Sequence, residues 1–224
     1  MNKTLQSRPL VSIVSAVYNE AGTVGKLIES IDAQTRKDIE LIIMDGGSTD
    51  GTIDILRSLS SKITYWQSGS DNGIFSAWNE ALKYCSGDWV LFLGGDDFLW
   101  EKDVIQGIAP VLSDVFPRYN VVYGDVAQVV GTRVVEYQGG PWNKQRFRKT
   151  MYFSHQGVFH HKSLFGIHGP FDAEFMIAGD YDFLLRELKE RDAFYHRGTV
   201  ISGMMKGGRS TSLEYAFRIF METI

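Results

Sequence analysis

Residues 89–100 read WVLFLGGDDFLW, an apolar and aromatic run that ends at two adjacent carboxylates, Asp96 and Asp97. An apolar run of this length, closed by glycine, is typical of a strand that is buried on both faces. Large apolar residues resume directly after the two aspartates. Paired carboxylates at the end of a buried strand are costly unless a partner neutralises them, so we expect Asp96 and Asp97 to have a function.

The chain before this stretch alternates short apolar segments with amphipathic ones. The apolar segments predict strands at residues 10–17, 39–44, 62–66 and 88–93. Between them, apolar residues at three- and four-residue spacings predict helical faces: Val24, Leu27, Ile28 and Ile31; Ile53, Leu56 and Leu59; Ile74, Ala77, Trp78, Ala81, Leu82 and Cys85. Because parallel strands need crossover connections, this alternation predicts an α/β fold with a mostly parallel sheet flanked by helices.

The pattern changes after about residue 114. Residues 120–130 and 133–138 predict a hairpin or an edge element, residues 139–153 resemble a loop with a basic cluster, and a helix is expected to start near Asp180. A strand-like segment follows at residues 193–205. We therefore predict one domain over residues 1–224, with a nucleotide-binding-like half at about 10–114 and a different half at about 115–224.

Composition excludes several classes of protein. A formal net charge of -4 argues against a general nucleic-acid binder. The single cysteine, Cys85, excludes an internal disulfide and a thiolate metal cluster, which makes the cytoplasm the expected compartment. The apolar run from Val11 to Val17 contains two serines and is too short for a signal peptide or a membrane span.

Carboxylates follow each of the four predicted strands. In an open parallel sheet, ligands bind outside the carboxyl ends of the strands, so these side chains should share one rim. Like charges in one cleft repel each other unless a cation or a hydrogen-bonding ligand is present. Hard oxygen ligands suit Mg²⁺ or Mn²⁺, with the phosphates of a nucleotide diphosphate completing the shell. The residues concerned are Glu20, Asp45, Asp71, Asp96 and Asp97.

Other nucleotide and phosphate sites lack their motifs here. The residues after the first strand read AVYNEAGTV, without the G-x-G-x-x-G of a dinucleotide fold, and a P-loop is absent. Asp45 is followed by Gly46 and Gly47 rather than by the second aspartate of aspartyl phosphatases. A sugar-nucleotide pyrophosphorylase would need a glycine- and arginine-rich loop at the first strand, and this chain lacks one.

Four ordered motifs carry a family resemblance: VSIVSAVYNEAGTVGKLIESIDAQT, IELIIMDGGSTDGT, SDNGIFSAWNEALKYCSGDWVLFLGGDD and AGDYDFLLR. Together they resemble the GT-A family 2 glycosyltransferases, closely over residues 10–100 and more loosely over 150–210. Bacterial enzymes of exopolysaccharide and lipid-linked oligosaccharide synthesis are the most similar. The resemblance implies a GT-A fold, a nucleotide-diphosphate sugar (a UDP-sugar is favoured), a divalent cation, an inverting displacement and an acceptor-binding second half. Many relatives carry Asp or Asn where Gly94 stands.

The resemblance also implies roles for the residues on the donor side. Asp96 would contact the ribose and the metal shell, and Asp97 would act through the cation on the diphosphate. Asp45 would hydrogen-bond the nucleobase beside Ala16 and Tyr18, or else only open the loop that follows it. Glu20 and Asp71 would contact the nucleotide or satisfy loop amides.

Asp180 is the candidate catalytic base by the same resemblance, since AGDYDFLLR occupies the place of the family's acidic segment before a helix. General-base help is worth about 10² to 10⁴ in rate. The alternative is an N-cap for the helix that follows. Asp182 should point elsewhere, because residues two apart on a helix do not share a face.

His155 and Gln156 resemble the acceptor-side wall of such enzymes. A zinc site with His160 and His161 is the alternative, although no acidic or thiolate partner stands at ligand spacing. Gly207, Gly208 and Arg209 would form a loop that closes on the diphosphate, with Arg209 or Lys206 supplying charge, unless they are a plain surface turn.

Two further segments have open interpretations. The cluster Trp142, Lys144, Arg146, Phe147, Arg148 and Lys149 would approach anionic lipid or a lipid-linked acceptor, or form a solvated charged face. The stripe from Leu213 to Ile224 indicates a core or homodimer helix, or an anchor at the inner face of the membrane. A sugar-nucleotide-binding module without turnover and a sugar-nucleotide hydrolase are the rival functions, since both share the donor site.

Overall fold

The first four strands follow the alternation in the sequence. The structure, a computed structural model, describes residues 10–206. Within them β1 (Val11–Val17), β2 (Ile39–Asp45), β3 (Tyr65–Ser68) and β4 (Trp89–Gly94) pair in parallel, in the order β3-β2-β1-β4. Helices α1 (Val24–Asp32), α2 (Thr52–Ser58) and α3 (Ile74–Leu82) connect them. The third strand starts three residues later than predicted, because Ser60–Lys62 form a 3-10 turn.

The second half adds five strands and four helices to the described residues. They are β5 (Phe98–Leu99), α4 (Val104–Val115), β6 (Val121–Val130), β7 (Arg133–Gln138), α5 (Lys144–Phe147), β8 (Val158–His161), α6 (Ser163–His168), α7 (Gly179–Leu188) and β9 (Phe194–Met205). The predicted hairpin, the helix near Asp180 and the last strand are confirmed as β6–β7, α7 and β9. The short helix α5 lies inside the segment expected to be a loop.

One sheet of nine strands joins the two halves. β8 lies antiparallel between β4 and β6, and β9 pairs in parallel with β6 and antiparallel with β5. The full order is β3-β2-β1-β4-β8-β6-β9-β5, with β7 attached to β6. The sheet is therefore parallel through β4 and mixed beyond it, so the mostly parallel prediction holds for the part that ends at the carboxylate pair.

Alternate residues of β4 face two separate apolar layers. Trp89, Leu91 and Leu93 pack on the side covered by α1, α2 and α4. Val90 and Phe92 pack on the side covered by α3, α6 and α7. Full burial of such side chains stabilises the fold by about 1.5–3 kcal/mol each, which explains why β4 is apolar along its whole length.

The start of α3 departs from the predicted apolar stripe. The apolar spacing predicts Ile74 on the buried face, but Ile74 is 38% exposed, and Phe75 is buried in its place. The ring of Phe75 packs against those of Trp78 and Phe171, which fixes the rotation of the helix. Ile74 therefore projects toward the carboxyl ends of the strands. Within residues 10–206, the helices all fall short of the length and apolarity that crossing a membrane requires.

Candidate active site

A cleft of about 480 Å³ opens at the carboxyl ends of the parallel strands. It lies where the open-sheet rule places ligands. Five residues predicted to bind substrate line it together: Ala16, Tyr18, Glu20, Asp71 and Asp96. The rest of its wall is formed by Val17, Gly46, Ser70, Gly73, Ile74, Gly94 and Gly95.

Hydrogen bonds tie the loop after β1 to the loop after β2. Asn19, held at a positive φ of 56°, donates its backbone N–H to Ser48 Oγ at 2.8 Å and accepts from the Thr49 N–H at 2.9 Å. The Glu20 N–H donates to Thr52 Oγ1 at 2.8 Å. Left-handed backbone is strained for most side chains but tolerated by asparagine, so the sequence YNE suits this turn. The cleft floor is built from two loops that hold each other.

Asp45, predicted to contact the nucleobase, accepts hydrogen bonds on both carboxylate oxygens from nearby residues. Its Oδ2 accepts hydrogen bonds from the Gly47 N–H at 3.1 Å, the Ser48 N–H at 3.0 Å and Ser68 Oγ at 2.5 Å. Its Oδ1 accepts from the Ser48 hydroxyl. A carboxylate accepts about four hydrogen bonds, and the side chain is only 3% exposed. Asp45 therefore shapes the loop behind the cleft, and its contact with the nucleobase stays a prediction.

Asp97 is buried behind the cleft with one oxygen left over. Its Oδ2 accepts the Gly94 N–H at 2.6 Å, while its Oδ1 has no hydrogen-bond partner among the described residues. The side chain is 1% exposed. Burial, then the negative charges of Asp96 and Glu20, raise its pKa to about 8. An orphaned buried carboxylate oxygen is expensive, and a proton, a cation or an ordered water would relieve that cost.

Two glycines bring the carboxylates together. A Cβ on Gly94 would lie 3.0 Å from both Asp96 Oδ1 and Asp97 Oδ2. A Cβ on Gly95 would lie 2.7 Å from Cγ of Glu20. Glycine at these positions lets the backbone approach all three acids. Burial also raises the pKa of Asp96, which lines the cleft beside Asp97.

These residues fit a hard divalent cation. Within residues 10–206, no group of three His, Cys, Asp or Glu side chains is arranged to hold a metal ion alone. The pair Asp96 and Asp97 nevertheless offers carboxylate oxygens, one of them buried without a partner. Mg²⁺ and Mn²⁺ prefer such ligands and commonly share their shell with substrate phosphates.

Asp180 lies in the first turn of α7 rather than at its cap. The N-cap position is Ala178, and Asp180 Oδ1 accepts the Tyr181 N–H at 2.8 Å. Burial raises the pKa of Asp180 to about 6, close to the value that suits a general base at neutral pH. Asp180 is not among the cleft-lining residues, but Gly179 before it touches Phe75, which follows the lining residue Ile74. Asp182 is engaged instead in an ion pair with Arg186 at 2.5 Å.

Comparison with known families agrees with this arrangement. Residues 12–171 match the sequence model described as "Glycosyl transferase family 2". The chain belongs to glycosyl transferase family 2. The matched residues run from β1 to the start of the segment before Asp180, so this family 2 chain carries both the cleft and the carboxylate pair inside the match.

Individual relatives support the same family. The PGL/p-HBAD biosynthesis glycosyltransferase of Mycobacterium bovis is 33% identical over 183 residues, covering 80% of this chain and 69% of the relative. Staphylococcus aureus TarS 1-349, solved with UDP-GlcNAc, superposes with a TM-score of 0.76 at 17% identity, covering 94% of this chain and 64% of that one. The mannosyltransferase PcManGT from Pyrobaculum calidifontis, solved with GDP-Man and Mn²⁺, gives 0.68 at 18%, covering 91% and 59%. The chain thus spans about 60% of these solved chains, and the superpositions show the GT-A fold.

His155 lies in the core of the family 2 fold rather than in the cleft. It is 4% exposed, its ring stacks on those of Trp78 and Phe92, and its Nε2 is 3.2 Å from Nε2 of His160. Burial lowers the pKa of both histidines, to about 4 for His160. An acceptor-wall role for His155 is therefore not what its surroundings support. The backbone carbonyl of Gln156 accepts from Ser202 Oγ at 2.8 Å, which ties this segment to β9.

Part of the basic cluster at residues 142–149 binds the segment that follows α7. Lys144 donates to the Glu190 carbonyl at 2.9 Å and pairs with Asp192 at 3.1 Å, and Trp142 Nε1 donates to Asp192 at 2.9 Å. Arg148 donates to the Lys189 carbonyl. Cations near a helix C-terminus stabilise its dipole, so these residues hold the end of α7. Arg209, Gly207, Gly208 and the stripe from Leu213 to Ile224 lie outside the described residues.

Several cleft residues were not predicted. Ser70 and Gly73 belong to the polar segment SGSDNG after β3, where the sequence predicts a ligand contact at Asp71 alone. Gly46 directly follows β2, and a Cβ there would lie 3.0 Å from Asp71 Oδ2 and 3.4 Å from Cδ2 of Tyr18. Small residues directly after a strand were the available signal, because they let ligands and loops approach the backbone.

Proposed function

We propose that this chain is a divalent-metal-dependent, inverting glycosyltransferase that moves a sugar from a nucleotide-diphosphate donor to a hydroxyl acceptor. The observation that carries the proposal is the buried Oδ1 of Asp97, left without a partner next to Asp96, which lines the cleft. Mg²⁺ or Mn²⁺ held by Asp96 and Asp97 would neutralise the charge that develops on the leaving diphosphate.

The donor would lie along the rim formed by the strand ends. Tyr18, 46% exposed in the cleft, offers a ring face to the nucleobase, and Asp71 and the backbone at Ala16 offer polar contacts. Asp45 would contact the nucleobase from the loop that it shapes, where both of its carboxylate oxygens accept hydrogen bonds. A UDP-sugar is favoured by the family resemblance and by the complexes of TarS with UDP and UDP-GlcNAc, whereas PcManGT was solved with GDP-Man.

Asp180 would act as the general base. Its raised pKa allows it to accept a proton near neutral pH. The acceptor hydroxyl would lose its proton to Asp180, and its oxygen would attack the anomeric carbon. The bond between that carbon and the diphosphate oxygen would break on the opposite face, which inverts the anomeric configuration.

The acceptor is proposed to be a glycan or lipid-linked glycan of bacterial polysaccharide synthesis. The PGL/p-HBAD name of the mycobacterial relative supports a biosynthetic setting. A cytoplasmic location at the inner face of the membrane would suit such an acceptor. Within the basic cluster, Lys144 and Arg148 already bind the end of α7, so any lipid contact there would fall to the remaining cations.

A binding screen followed by a transfer assay tests the proposal. Melting temperatures would be measured with UDP, GDP and their sugars, each with and without Mn²⁺, because a ligand that binds only the native state raises the melting temperature. We expect stabilisation by a nucleotide diphosphate that depends on Mn²⁺. Nucleotide release that requires an acceptor would then establish transfer. Release without any acceptor would indicate a hydrolase, and binding without release across a broad acceptor panel would indicate a binding module.

A further inference from the structure

The segment before α7 is held by hydrogen bonds from two different helices. Residues 168–171, which we call the strap, join α6 to the segment that leads into α7. From α7, Arg186 Nη1 donates to the carbonyls of His168 at 3.1 Å and Pro170 at 2.7 Å. From α3, Asn79 Nδ2 donates to the Phe171 carbonyl at 2.8 Å, and the Phe171 N–H donates to Asn79 Oδ1 at 2.9 Å. The strap therefore connects α3 to α7.

The hydrogen bonds of Asn79 to the strap are more specific than those of Arg186. Its carboxamide pairs with one residue through both a donor and an acceptor, as neighbouring strands do, across 92 positions of sequence. A pair of this kind fixes direction as well as distance, because both bonds must be aligned at once. Asn79 is half-buried, so water competes with it less than at an open surface.

Aromatic packing extends the connection to the start of α7. Phe171 is 2% exposed, and its ring centroid lies 4.6 Å from that of Phe183 on α7 and 5.8 Å from that of Phe75 on α3. A Cβ on Gly179 would lie 2.8 Å from the Phe75 ring. Phe75 is therefore in direct contact with the backbone next to Asp180.

The same helix borders the donor cleft. Gly73 and Ile74, just before Phe75, line the cleft, whereas Asn79 lies about one turn further along α3. The first two turns of α3 thus touch the donor site at one end and the support of Asp180 at the other. Close packing transmits a displacement of either contact to the other, since protein interiors are dense and hardly compressible.

From these contacts we infer that Asn79 is a positioning residue for Asp180: it sets the location of the α7 start relative to the donor cleft through the strap. The inference rests on the proposed role of Asp180 as general base. Asn79 itself is not among the residues that line the cleft, so its removal should leave donor binding in place. A misplacement of about 1 Å can cost roughly 10²-fold in rate.

The matched control is Gln34, another carboxamide that binds backbone between elements. Gln34 Nε2 donates to the Glu101 carbonyl at 2.7 Å, and its Oε1 accepts the Ile105 N–H at 3.1 Å. It lies between α1 and α4, on the opposite face of the sheet from the strap. Asn79→Leu and Gln34→Met each remove the polar groups at similar side-chain volume.

Two readouts on the full chain separate positioning from general stability. We expect Asn79→Leu to lower kcat by roughly 10- to 100-fold with the Kd for UDP and Mn²⁺ within about twofold of wild type. Hydrogen exchange should accelerate at residues 179–182 in this variant but not in Gln34→Met. Asn79→Asp, which keeps the acceptor for the Phe171 N–H but loses the donor, should give an intermediate effect and replaces Asn79→Leu if that variant does not fold.

The outcomes are distinct for the two proposals. Exchange at residues 179–182 that is equal in the Asn79 and Gln34 variants would overturn the positioning role, whatever the activity. An equal loss of kcat in the Asn79 variants and in Gln34→Met would also overturn the positioning role. If the wild-type protein transfers no sugar, the proposed function fails on its own, and the exchange data still decide whether Asn79 holds the start of α7.

Discussion

Asp97 is a buried carboxylate that lacks a partner for one oxygen and lies next to a residue of the cleft. Removal of its charge should therefore affect protein stability and donor binding in opposite directions. An ionised Asp97 is unfavourable without a cation, as its raised pKa of about 8 shows. In Asp97→Asn the amide oxygen can still accept the Gly94 N–H, and the negative charge is gone. We expect the metal-free variant to melt at or above the wild-type temperature.

We expect Asp97→Asn to lose donor binding although the variant still folds. Loss of a direct metal ligand should weaken Mn²⁺-stimulated UDP binding by more than the roughly 10- to 100-fold that outer-shell changes cost. Isothermal calorimetry of UDP with Mn²⁺ measures this. Asp88→Asn is the matched control, because Asp88 precedes the same strand at its other end and pairs with Lys162 at 2.7 Å. Unchanged affinity in Asp97→Asn would remove the metal assignment.

The role proposed for Asp180 leads to a separate prediction, which concerns the turnover rate and not donor binding. Asp180→Asn keeps the size of the side chain but cannot accept the acceptor proton at neutral pH. We expect turnover to fall by about 10² to 10⁴ with donor affinity retained. Loss of an N-cap would not explain such a result, because the cap position is Ala178. Transfer is measured as acceptor-dependent nucleotide release, with the exposed Asp192→Asn as control; full activity of Asp180→Asn would assign the base elsewhere.

At the scale of elements, the contact between α3 and α7 has little room for an added atom. A methyl group on Gly179 would lie 2.8–2.9 Å from three atoms of the Phe75 ring, so α7 must shift or the ring must turn. Overpacking of this kind costs about 1–3 kcal/mol. We expect Gly179→Ala to lower the free energy of unfolding by that amount.

Gly107 provides the comparison for this substitution. It lies within α4, and a Cβ there would meet no heavy atom within 4 Å. Gly107→Ala should therefore stabilise the protein by about 0.4–1 kcal/mol, through lower chain entropy in the unfolded state. Urea unfolding of the two variants gives both numbers. Equal effects of the two substitutions would mean that Phe75 yields freely and does not fix α7.

The elements that the sequence predicts are those whose signal is local. β1, β2 and β4 are predominantly apolar segments, the β6–β7 hairpin contains a Gly-Thr turn, and α7 has helical spacing. β5 has only two residues and exists because Phe98 and Leu99 pair with Gly203 and Ser202, about a hundred positions away. The insertion of β8 between β4 and β6 likewise depends on tertiary pairing, which periodicity does not contain.

The site shows the same division. The acids at the strand ends were predictable because the open-sheet rule assigns a function to that edge, and Glu20, Asp71 and Asp96 do meet in one cleft. Spacing did not reveal that Asp45 would accept hydrogen bonds from Ser48 and Ser68, since the serine from β3 arrives through strand pairing. The burial of His155 could not be predicted from the sequence either, because its ring is covered by Trp78 and Phe92, which lie on two other elements.

At the scale of the whole molecule, the buried histidine pair lies where the two halves of the sheet join. His160 is on β8, between β4 and β6, and its ring contacts those of Phe92, Phe165 and Phe183. Burial lowers its pKa to about 4, against about 6.5 in an unfolded chain. Between these two values the unfolded state binds a proton that the native state does not. Stability from a neutral His160 is therefore complete above about pH 6.5 and is lost as the pH falls toward 4.

Asp97 titrates in the opposite sense, so the wild-type stability curve alone does not isolate this effect. Its raised pKa means that the native state holds the extra proton between about pH 4 and 8, which favours folding as the pH falls. A comparison with His160→Gln cancels Asp97, because that residue is present in both proteins. The glutamine has no charge at any of these pH values, and its amide can still hydrogen-bond His155.

We expect wild type to lose about 2 kcal/mol more than His160→Gln between pH 7.5 and pH 5, since about 1.5 pH units of that interval lie below the unfolded-state pKa at about 1.4 kcal/mol each. The variant should be the less stable protein at pH 7.5, because an amide fills the aromatic site poorly, and the gap should narrow as the solution is acidified. Urea unfolding at fixed ionic strength at several pH values measures both curves. Curves that stay parallel would show that His160 is not kept neutral by the junction of the two halves, and that acid sensitivity arises elsewhere in the fold.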